Sequence, residues 1–383
     1  MVRVERVLII SRMFPPMRGG LPDHTDRLAA VMSATHEVTV LTSVGVETGR
    51  GFRVRAEVGN WKDGRELEKR VGAAAGGGPV LWQYVPHMYG RGGVNLVVPG
   101  VMGRLARAGV RQVVIAHEIR APYSWWPHRS VYALAHRLMW RKLRKSAAAI
   151  GISTASWLER IQEAEGGGDR YFLAPSPANV EVVALGEGRR EAWRGARGWE
   201  GAVCVMGFFG SVGTGKQFDW VLEAWREARR REPGTGLVVI GGKPEPELTE
   251  DERRWFCALG YVESAGVSEA IQALDLLVLP FEDGVSERRS SFMVGLAHGV
   301  AVVTTVGEGT GRDLKAGGFF RGVAVGDGRV GFAKAAADLV MDRSGRTALG
   351  ARAEAQYRRV YDWPCLARTL AMRLKDGGGK GLL

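Results

Sequence analysis

The sequence predicts an α/β protein of two tandem, Rossmann-like, doubly wound domains. Strand-like apolar segments alternate with helix-like segments along both halves of the chain, the pattern of a parallel sheet covered by helices on both faces. The chain has 383 residues, a length natural for two domains. The alternation stops near residues 186–201 and then restarts. We therefore expect two domains whose sheet ends face a central, ligand-binding cleft.

The N-terminal domain is expected to span residues 1–185. Leu28, Val31 and Met32 recur at helical spacing and predict the helix after the first strand. The segment 45–78 is rich in glycine and charge, so we interpret it as a loop or a weak insertion. Apolar, β-branched runs predict strands at 6–11, 36–43, 79–85, 110–117 and 147–153.

The C-terminal domain is expected to span residues 202–360, after a polar linker at 186–201. Apolar residues recur at helical spacing from Phe218 to Trp225 and predict its first helix. A later helix is predicted to begin with Ser268 as its N-cap. The predicted strands of this domain are 202–210, 236–242, 256–262, 274–281 and 300–306.

Composition and cysteine usage favour a cytoplasmic protein. Hydrophobic residues make up 45% of the chain and charged residues 25%, which is ordinary for a globular protein. No apolar run is long enough for a membrane-spanning helix, and the N-terminal apolar run is too short for a signal peptide. Cys204, Cys257 and Cys365 are widely separated, which argues against a disulfide framework or a zinc site.

The formal net charge of +12 predicts an anionic partner. Nucleotide phosphates, an anionic membrane and nucleic acid are the candidates, but no nucleic-acid-binding motif accompanies the dispersed basic residues, so nucleic acid is not expected. The basic helix predicted at 128–147 could make a peripheral contact with the inner membrane face. The alternative, favoured by the sequence, is a helix packed on its own sheet with a solvated basic face.

The stretch GFFGSVGTGKQ, residues 207–217, has the pattern of a phosphate-binding loop. From Gly210 to Lys216 it follows G-x-x-x-x-G-K, the core of a Walker A motif. That motif continues with Ser or Thr, whose hydroxyl holds Mg²⁺, whereas here Gln217 follows. Asp275 precedes an apolar strand rather than ending it, so a Walker B carboxylate is also missing. The loop therefore predicts a phosphate site without nucleotide hydrolysis.

Five segments in order resemble glycosyltransferases of the GT-B fold, family 4. They are FPPMRGGLPDHTDRLA, FFGSVGTGKQFDWVLEAW, LGYVESAGVSEAIQALDLLVLPF, LAHGVAVVTT and YDWPCLARTL, and together they extend over most of the chain. The resemblance implies a retaining, metal-independent glycosyltransferase of the hexosyltransferase type. It would need no cofactor, and would move a sugar from a UDP- or GDP-sugar to a glycan, lipid-linked or small-molecule acceptor. It also implies that residues 361–383 form a helix that returns to the N-terminal domain, with a tail.

The resemblance assigns the donor diphosphate to residues of the second domain. Lys216 would stabilise the charge that develops on the leaving phosphate, because a fixed cation and helix N-terminal amides suit that role. Ser211 stands where the family often has arginine, and Arg288 with Arg289 could supply the missing charge. A solvated basic turn is the alternative for these two arginines. The resemblance further implies donor contacts by Gly19, Gly20, Gly210, Ser211, Tyr261, Val262, Ser286, Glu287, Ser290 and Ser291.

The family's pair of spaced glutamates is degenerate in this chain. The first position falls on Ser286, beside Glu287, and the second falls on Val294. The second glutamate of the family normally holds the ribose hydroxyls. We therefore expect ribose recognition to differ here.

In the first domain, the resemblance points to the ends of two strands. Gly19 and Gly20 follow the first strand and allow a phosphate or sugar to approach the backbone closely, although no G-x-G-x-x-G pattern indicates NAD. His117 ends the strand 110–117 and, by resemblance, contacts the donor sugar; a histidine that merely caps a buried strand is the alternative. Acceptor-side candidates are Asp23, His24, Glu118 and Arg120.

Two other functions remain open from the sequence. A P-loop NTPase or kinase would show Mg²⁺-dependent nucleotide hydrolysis, and Gln217 argues against it. A catalytically weak relative that binds nucleotide or glycan would bind sugar nucleotides without transferring them. Ser211 and the missing glutamate pair favour this second alternative.

Overall fold

The structure is a computed structural model that describes residues 5–44, 51–90, 93–119, 127–166, 168–213 and 215–375. The chain forms two compact units. The first contains residues up to 153, residues 157–175 and the chain from 363 onward, and the second contains 154–156 and 176–362. Each unit is built around a parallel sheet, as the strand–helix alternation predicts.

The first unit holds a seven-stranded, all-parallel sheet among the described residues. Its strands are β1 (Glu5–Ile10), β2 (His36–Ser43), β3 (Arg53–Val58), β4 (Val80–Tyr84), β5 (Gln112–Ala116), β6 (Ala149–Ile152) and β7 (Tyr171–Leu173). Its helices are α1 (Gly20–Ser33), α2 (Gly64–Ala75), α3 (Val97–Arg107), α4 (Pro127–Ser146) and α5 (Ala155–Glu165), of which the first two residues are grouped with the second unit. The strand order is β3-β2-β1-β4-β5-β6-β7, so the direction of winding reverses between β1 and β4.

Over its described residues, the second unit holds a six-stranded, all-parallel sheet. Its strands are β8 (Cys204–Phe209), β9 (Thr235–Ile240), β10 (Phe256–Gly260), β11 (Leu276–Leu279), β12 (Ala301–Val306) and β13 (Arg321–Ala324). Its helices are α6 (Arg189–Gly195), α7 (Phe218–Arg231), α8 (Glu250–Arg254), α9 (Ser264–Gln272), α10 (Ser290–Ala297), α11 (Arg312–Ala316), α12 (Gly328–Met341) and α13 (Arg343–Gln356). The order β10-β9-β8-β11-β12-β13 places the reversal between β8 and β11. Ligands of open parallel sheets bind outside the carboxyl ends of the strands at such a point.

The last described helix, α14 (Trp363–Lys375), packs in the first unit. Leu366, Leu370 and Leu374 recur at helical spacing and are buried in the core that lies between α1 and the sheet. The guanidinium of Arg111 donates two hydrogen bonds to the carbonyl of Arg373 and so holds the last turn. A segment remote in sequence thereby becomes part of the N-terminal core.

Two segments expected to be irregular are regular. Residues 45–50 of the segment 45–78 lie outside the described residues, and the rest of the segment contains β3 and α2. The Asp63 side chain caps α2 by accepting hydrogen bonds from the Arg65 and Glu66 N–H groups. The buried face of α2 is formed by Leu67, Val71 and Ala75. These three residues lie among glycines and charged residues, so the helical pattern was not recognised in the sequence. The polar segment 186–201 contains α6.

The predicted N-cap at Ser268 is wrong. Helix α9 begins at Ser264, with Glu263 at the N-cap position, and Ser268 lies buried inside the helix. The Ser268 hydroxyl contacts His298 Nε2 at 2.9 Å. A tertiary partner on another element, rather than the N-terminal N–H groups of the helix, thus contacts this side chain.

Among the described residues, no helix combines the length and the apolar character that crossing a membrane requires.

Candidate functional site

The loop that follows β8 is fixed against the end of β11. Lys216 pairs with Phe281 in an antiparallel bridge. The Gln217 N–H donates to the Pro280 carbonyl at 3.1 Å, and the Glu282 N–H donates to the Gly215 carbonyl at 3.3 Å. The phosphate-type loop and the β11 loop are therefore joined at the sheet reversal, where the sequence predicted a phosphate site.

The Lys216 ammonium group lies in a partly apolar pocket without a carboxylate partner among the described residues. Its Nζ donates to the Phe209 carbonyl at 2.8 Å and lies 5.2 and 5.8 Å from the ring centres of Phe208 and Phe281. Burial, and then the positive charge of Arg289, lower the pKa of Lys216 to about 8. A desolvated cation beside a second cation gains most from an anionic ligand, such as a diphosphate.

Arg289 brings a second positive charge to this edge of the sheet. Its guanidinium lies 4.7 Å from the ring centre of Phe281 and forms an ion pair with Asp283. Nε of Arg289 is buried and has no hydrogen-bond acceptor among the described residues. Arg288 is half-buried. Of the two predicted arginines, Arg289 is the one that the structure brings close to Lys216.

Helix α10 begins at Ser290, directly after Arg289 as its N-cap residue. The first N–H groups of a helix have no intrahelical acceptor and carry partial positive charge. Ser290 is exposed, whereas Ser291 is buried. The predicted amides of Ser290 and Ser291 therefore lie at a helix N-terminus, as a phosphate-binding role requires.

Ser286 and Glu287 are both buried. Glu287 Oε2 accepts a hydrogen bond from the Ala155 N–H at 3.0 Å, and its carbonyl accepts one from the Ser176 N–H at 3.1 Å. Val294, at the position of the family's second glutamate, is fully buried inside α10. Glu287 is therefore hydrogen-bonded to backbone groups of the described residues, and the apolar side chain of Val294 cannot form hydrogen bonds.

The remaining predicted donor residues of this unit lie along the same edge of the sheet. Ser211 is exposed in the loop after β8. Tyr261, which is 77% exposed, and half-buried Val262 follow β10, two strands away from β8. Tyr261 is therefore placed on the carboxyl edge but not beside Lys216.

Gly210 allows the Lys216 ammonium group to reach its place. Its φ of +121° is a conformation that L side chains rarely adopt, and a Cβ here would collide with Lys216 Nζ. We expect Gly210→Ala to displace the ammonium and to weaken nucleotide diphosphate binding about tenfold. Titration calorimetry with UDP measures this loss.

Gly326→Ala is the matched control, because a Cβ at Gly326 meets no atom within 4 Å. We expect its UDP affinity to equal that of the wild type. Equal affinity of the Gly210→Ala protein would show that Gly210 does not position Lys216.

In the first unit, the predicted residues His117 and His24 come together around Gln83 on β4. The two imidazole rings lie 4.6 Å apart, edge to face, and the His24 ring lies 5.1 Å from that of Trp363. His117 Nε2 is 2.6 Å from Gln83 Oε1, and Gln83 Nε2 is 3.5 Å from His24 Nδ1. Gln83 is completely buried and therefore bridges the two histidines.

The Gln83 amide determines which ring nitrogen of each histidine carries the proton. Since its oxygen can only accept, His117 Nε2 must donate, which leaves Nδ1 of the neutral ring as an acceptor. Since its nitrogen can only donate, His24 Nδ1 accepts and Nε2 carries the proton. Nε2 of His24 is buried without an acceptor among the described residues.

Burial keeps both histidines neutral. It lowers the pKa of His117 to about 4, and, together with the charge of His117, it lowers the pKa of His24 well below its usual value. The His117 contribution to stability is complete above the unfolded value of 6.5 and is lost as the pH falls towards about 4. His117 is therefore a neutral hydrogen-bonding group throughout the physiological range.

The other predicted residues of the first unit lie near the start of α1 and after β5. Gly19, with a φ of +144°, precedes α1, and Gly20 is its first residue. Asp23 is exposed in the first turn of α1, and Glu118 is exposed after His117. Arg120 lies outside the described residues.

The sequence interpretation missed Gln83, Phe281 and Asp283. Gln83 is the one polar residue of β4, and a lone polar side chain in a fully buried strand is a signal that could have been noticed. Asp283 follows an apolar strand in the Pro280–Gly284 loop, a usual position for ligand-contacting residues. Within the described ranges, no three histidine, cysteine, aspartate or glutamate side chains lie together as a metal site would require.

The chain was compared with protein-family models, curated protein sequences and solved structures. Residues 203–342 match the family model described as Glycosyl transferases group 1. No curated protein sequence matches the chain significantly. WaaG, a glycosyltransferase involved in lipopolysaccharide biosynthesis, is 17% identical over 97% of this chain and 100% of its own, with a TM-score of 0.64.

Two further solved structures are similar over nearly their whole length. Anabaena HepE in complex with UDP and glucose is 13% identical over 97% of this chain and 99% of its own, with a TM-score of 0.66. Sucrose-phosphate synthase from Thermosynechococcus elongatus is 13% identical over 96% of this chain and 98% of its own, with a TM-score of 0.64. At these identities the likeness shows the fold, and the predicted GT-B fold is confirmed.

Proposed function

We propose that this chain is a retaining, metal-independent glycosyltransferase that uses a nucleotide diphosphate sugar. The observation that carries the proposal is the grouping of Lys216, Arg289 and the start of α10 at the sheet reversal of the second unit. This grouping lies inside the segment that matches group 1 glycosyltransferases. Retention of anomeric configuration rests on the family resemblance alone.

The chemistry needs a group that stabilises the departing diphosphate. The bond between the anomeric carbon and the phosphate oxygen breaks while a bond to an acceptor oxygen forms, so negative charge develops on the phosphate. The Lys216 ammonium, the Arg289 guanidinium and the α10 amides are fixed donors for that charge. Two cations can fulfil the role that Mg²⁺ has in other transferases, which is why we propose metal-independent transfer.

His117 is proposed to hold the donor sugar. Its ring is neutral and its Nδ1 is an acceptor, so it suits a sugar hydroxyl that donates a hydrogen bond. Gln83 positions this ring. Asp23, His24 and Glu118 remain proposals for the acceptor side.

UDP-sugars are the proposed donors. Anabaena HepE has been solved with UDP and with UDP-glucose, and it shares the fold of this chain. Val294 cannot hold ribose hydroxyls, so the ribose contacts of this chain must come from other groups. GDP-sugars, the other donors that the resemblance implies, are also included in the test.

Thermal unfolding and calorimetry with UDP, GDP, ADP and TDP, and with their sugars, test the function. We expect a UDP-sugar to raise the unfolding temperature increasingly as its concentration exceeds its Kd, with and without EDTA. Transfer is then measured as release of UDP in the presence of glycan and lipid-linked acceptors. A response to ATP with Mg²⁺ alone would contradict the proposal. Binding without release across the acceptors would favour the catalytically weak relative.

Helix α4 carries an exposed surface that suits an anionic lipid membrane. Val131, Leu134 and Leu138 lie on one face of the helix and are 65, 53 and 45% exposed, and Tyr132 beside them is 41% exposed. The second half of the helix exposes Arg141, Lys142 and Lys145. Apolar side chains followed by cations match the acyl boundary and the phosphate layer of a membrane. We propose peripheral membrane contact through this face, in keeping with a lipid-linked acceptor.

Leu134→Asp is expected to weaken binding to vesicles that contain anionic phosphatidylglycerol by about tenfold, because it places a charge in the acyl boundary. Co-sedimentation of the full chain with these vesicles measures the effect. Val330→Asp is the matched control, since Val330 is an exposed valine (76%) on α12 in the other unit. Equal binding of all three proteins would contradict the membrane contact.

A further inference from the structure

A polar cavity lies at the amino edge of the second unit's sheet, opposite to the carboxyl edge that carries Lys216. It has a volume of about 480 Å³, within the range of small-ligand sites. It is bordered by Val203, Asp275 and Val300, the residues that directly precede β8, β11 and β12. Lys216 and the start of α10 lie at the carboxyl ends of these strands, so the cavity is separate from the proposed donor site.

Arginine side chains dominate the charge of this cavity. Arg190 and Arg194 of α6 and Arg343 and Arg346 of α13 line it, and Glu191 and Asp275 are the carboxylates of the lining. The lining therefore carries a net charge of two positive units. The polar segment that the sequence suggested as a linker supplies half of these arginines.

Asp275 neutralises part of this charge. Its Oδ1 accepts from Arg190 Nη2 at 2.6 Å, and its Oδ2 accepts from Arg194 Nη2 at 2.8 Å and from the Val205 N–H at 2.7 Å. Arg194 also donates to the Ala273 carbonyl. Nε of Arg190 is buried and has no acceptor among the described residues.

Arg346 makes its hydrogen bonds to backbone carbonyls. It is only 5% exposed, and its Nη1 donates to the carbonyls of Leu339 and Val340. Among the described residues, no carboxylate lies within ion-pair distance of it. The Asp342 carboxylate interacts with Arg346 electrostatically without forming an ion pair, so the guanidinium still contributes positive charge to the cavity wall. Arg343, at the mouth of the cavity, is exposed and adds a further positive charge.

We propose that this cavity binds a small phosphate-bearing anion. Guanidinium groups arranged around a confined space are suited to phosphate oxygens, because each presents several donors in a fixed plane. The volume also admits a small organic body attached to the phosphate. Inorganic phosphate and glucose 6-phosphate are the probes that distinguish a free ion from an organic phosphate.

Calorimetric titration of the full chain at low ionic strength tests the site. We expect Arg190→Ala and Arg343→Ala each to weaken binding of the tighter probe about tenfold. Arg346 is left intact because it is buried, and Asp275 because it pairs with both Arg190 and Arg194. Arg343→Ala removes an exposed side chain and is expected to keep the wild-type unfolding temperature.

Two controls separate this site from its surroundings. Arg189→Ala alters the neighbouring arginine of α6, which pairs with Glu269 and does not line the cavity. Lys216→Ala removes the main cation of the proposed donor site. Both are expected to bind the probe as the wild type does. Unchanged affinity in Arg190→Ala and Arg343→Ala, or a loss only in Lys216→Ala, would overturn the inference.

Discussion

Lys216→Ala is expected to lower the rate of sugar transfer by about 10²- to 10³-fold, the cost of removing one fixed donor to a developing oxyanion. The fall should be larger in kcat than in donor binding, because the charge on the diphosphate is greatest as the bond breaks. Steady-state release of UDP measures the rate, and calorimetry measures the binding. The matched control is Lys243→Ala, which removes a lysine from the loop after β9 on the same edge of the sheet. A Lys216→Ala enzyme as active as the wild type would contradict the proposed role.

The pH dependence of UDP binding gives an independent check on Lys216. Since its pKa in the free protein is about 8, the ammonium form predominates below that pH and declines above it. UDP affinity is therefore expected to change little between pH 7 and 7.5, where the terminal phosphate of UDP is already ionised, and to fall about tenfold per unit well above pH 8. The Lys216→Ala protein should bind weakly and lack this dependence. An identical decline in both proteins would assign the titration to another group.

His117→Ala is expected to lower transfer by about 10- to 100-fold, through loss of one hydrogen bond to the donor sugar and of the ring that holds it. UDP, which lacks the sugar, should bind the wild type and His117→Ala equally, because His117 is proposed to contact the sugar alone. Competition between UDP and UDP-glucose in calorimetry separates these two ligands. Equal loss of affinity for both would show that His117 supports the fold rather than the sugar.

Gln83→Leu tests whether the amide positions the ring. Leucine has a similar volume but no hydrogen-bonding atoms, so His117 would lose the acceptor that holds its proton on Nε2. Nitrogen NMR of the His117 ring is expected to show the Nε2–H tautomer in the wild type and a mixture in Gln83→Leu. Gln83→Asn keeps the amide and serves as the conservative control. The tautomer of His117 can be measured by NMR whether or not the protein transfers sugar. The positioning role of Gln83 and the transferase proposal can therefore be contradicted separately.

The fold was largely predictable because strand periodicity and turn residues are local properties. Buried strands such as β8 and β11 contain apolar runs, which a single sequence shows directly. Helix α2 was missed because its buried face is formed by only three residues among glycine and charge. Ser268 was misplaced as an N-cap because its partner, His298, lies on another element and is not visible in the local sequence.

The candidate site was predictable in part. The Lys216 loop could be read locally, since its glycines, its cation and the following helix are contiguous in sequence. The effect of Arg289 on the pKa of Lys216 depends on the packing of two separate loops, and the Arg289–Asp283 ion pair depends on the conformation of the loop that contains both residues. The charge at this edge therefore required the tertiary structure.

The sequence by itself indicated the two parallel sheets, the phosphate-type loop and the candidate histidines. Each of these rests on a local pattern of residues that are adjacent in the chain. Only the tertiary structure decided that Gln83 joins His24 to His117, and that the supposed linker contributes arginines to a cavity. Those arrangements join elements that are distant along the chain. Burial then shifts the pKa of His117 and of Lys216, and burial is a property of the folded chain rather than of its local pattern.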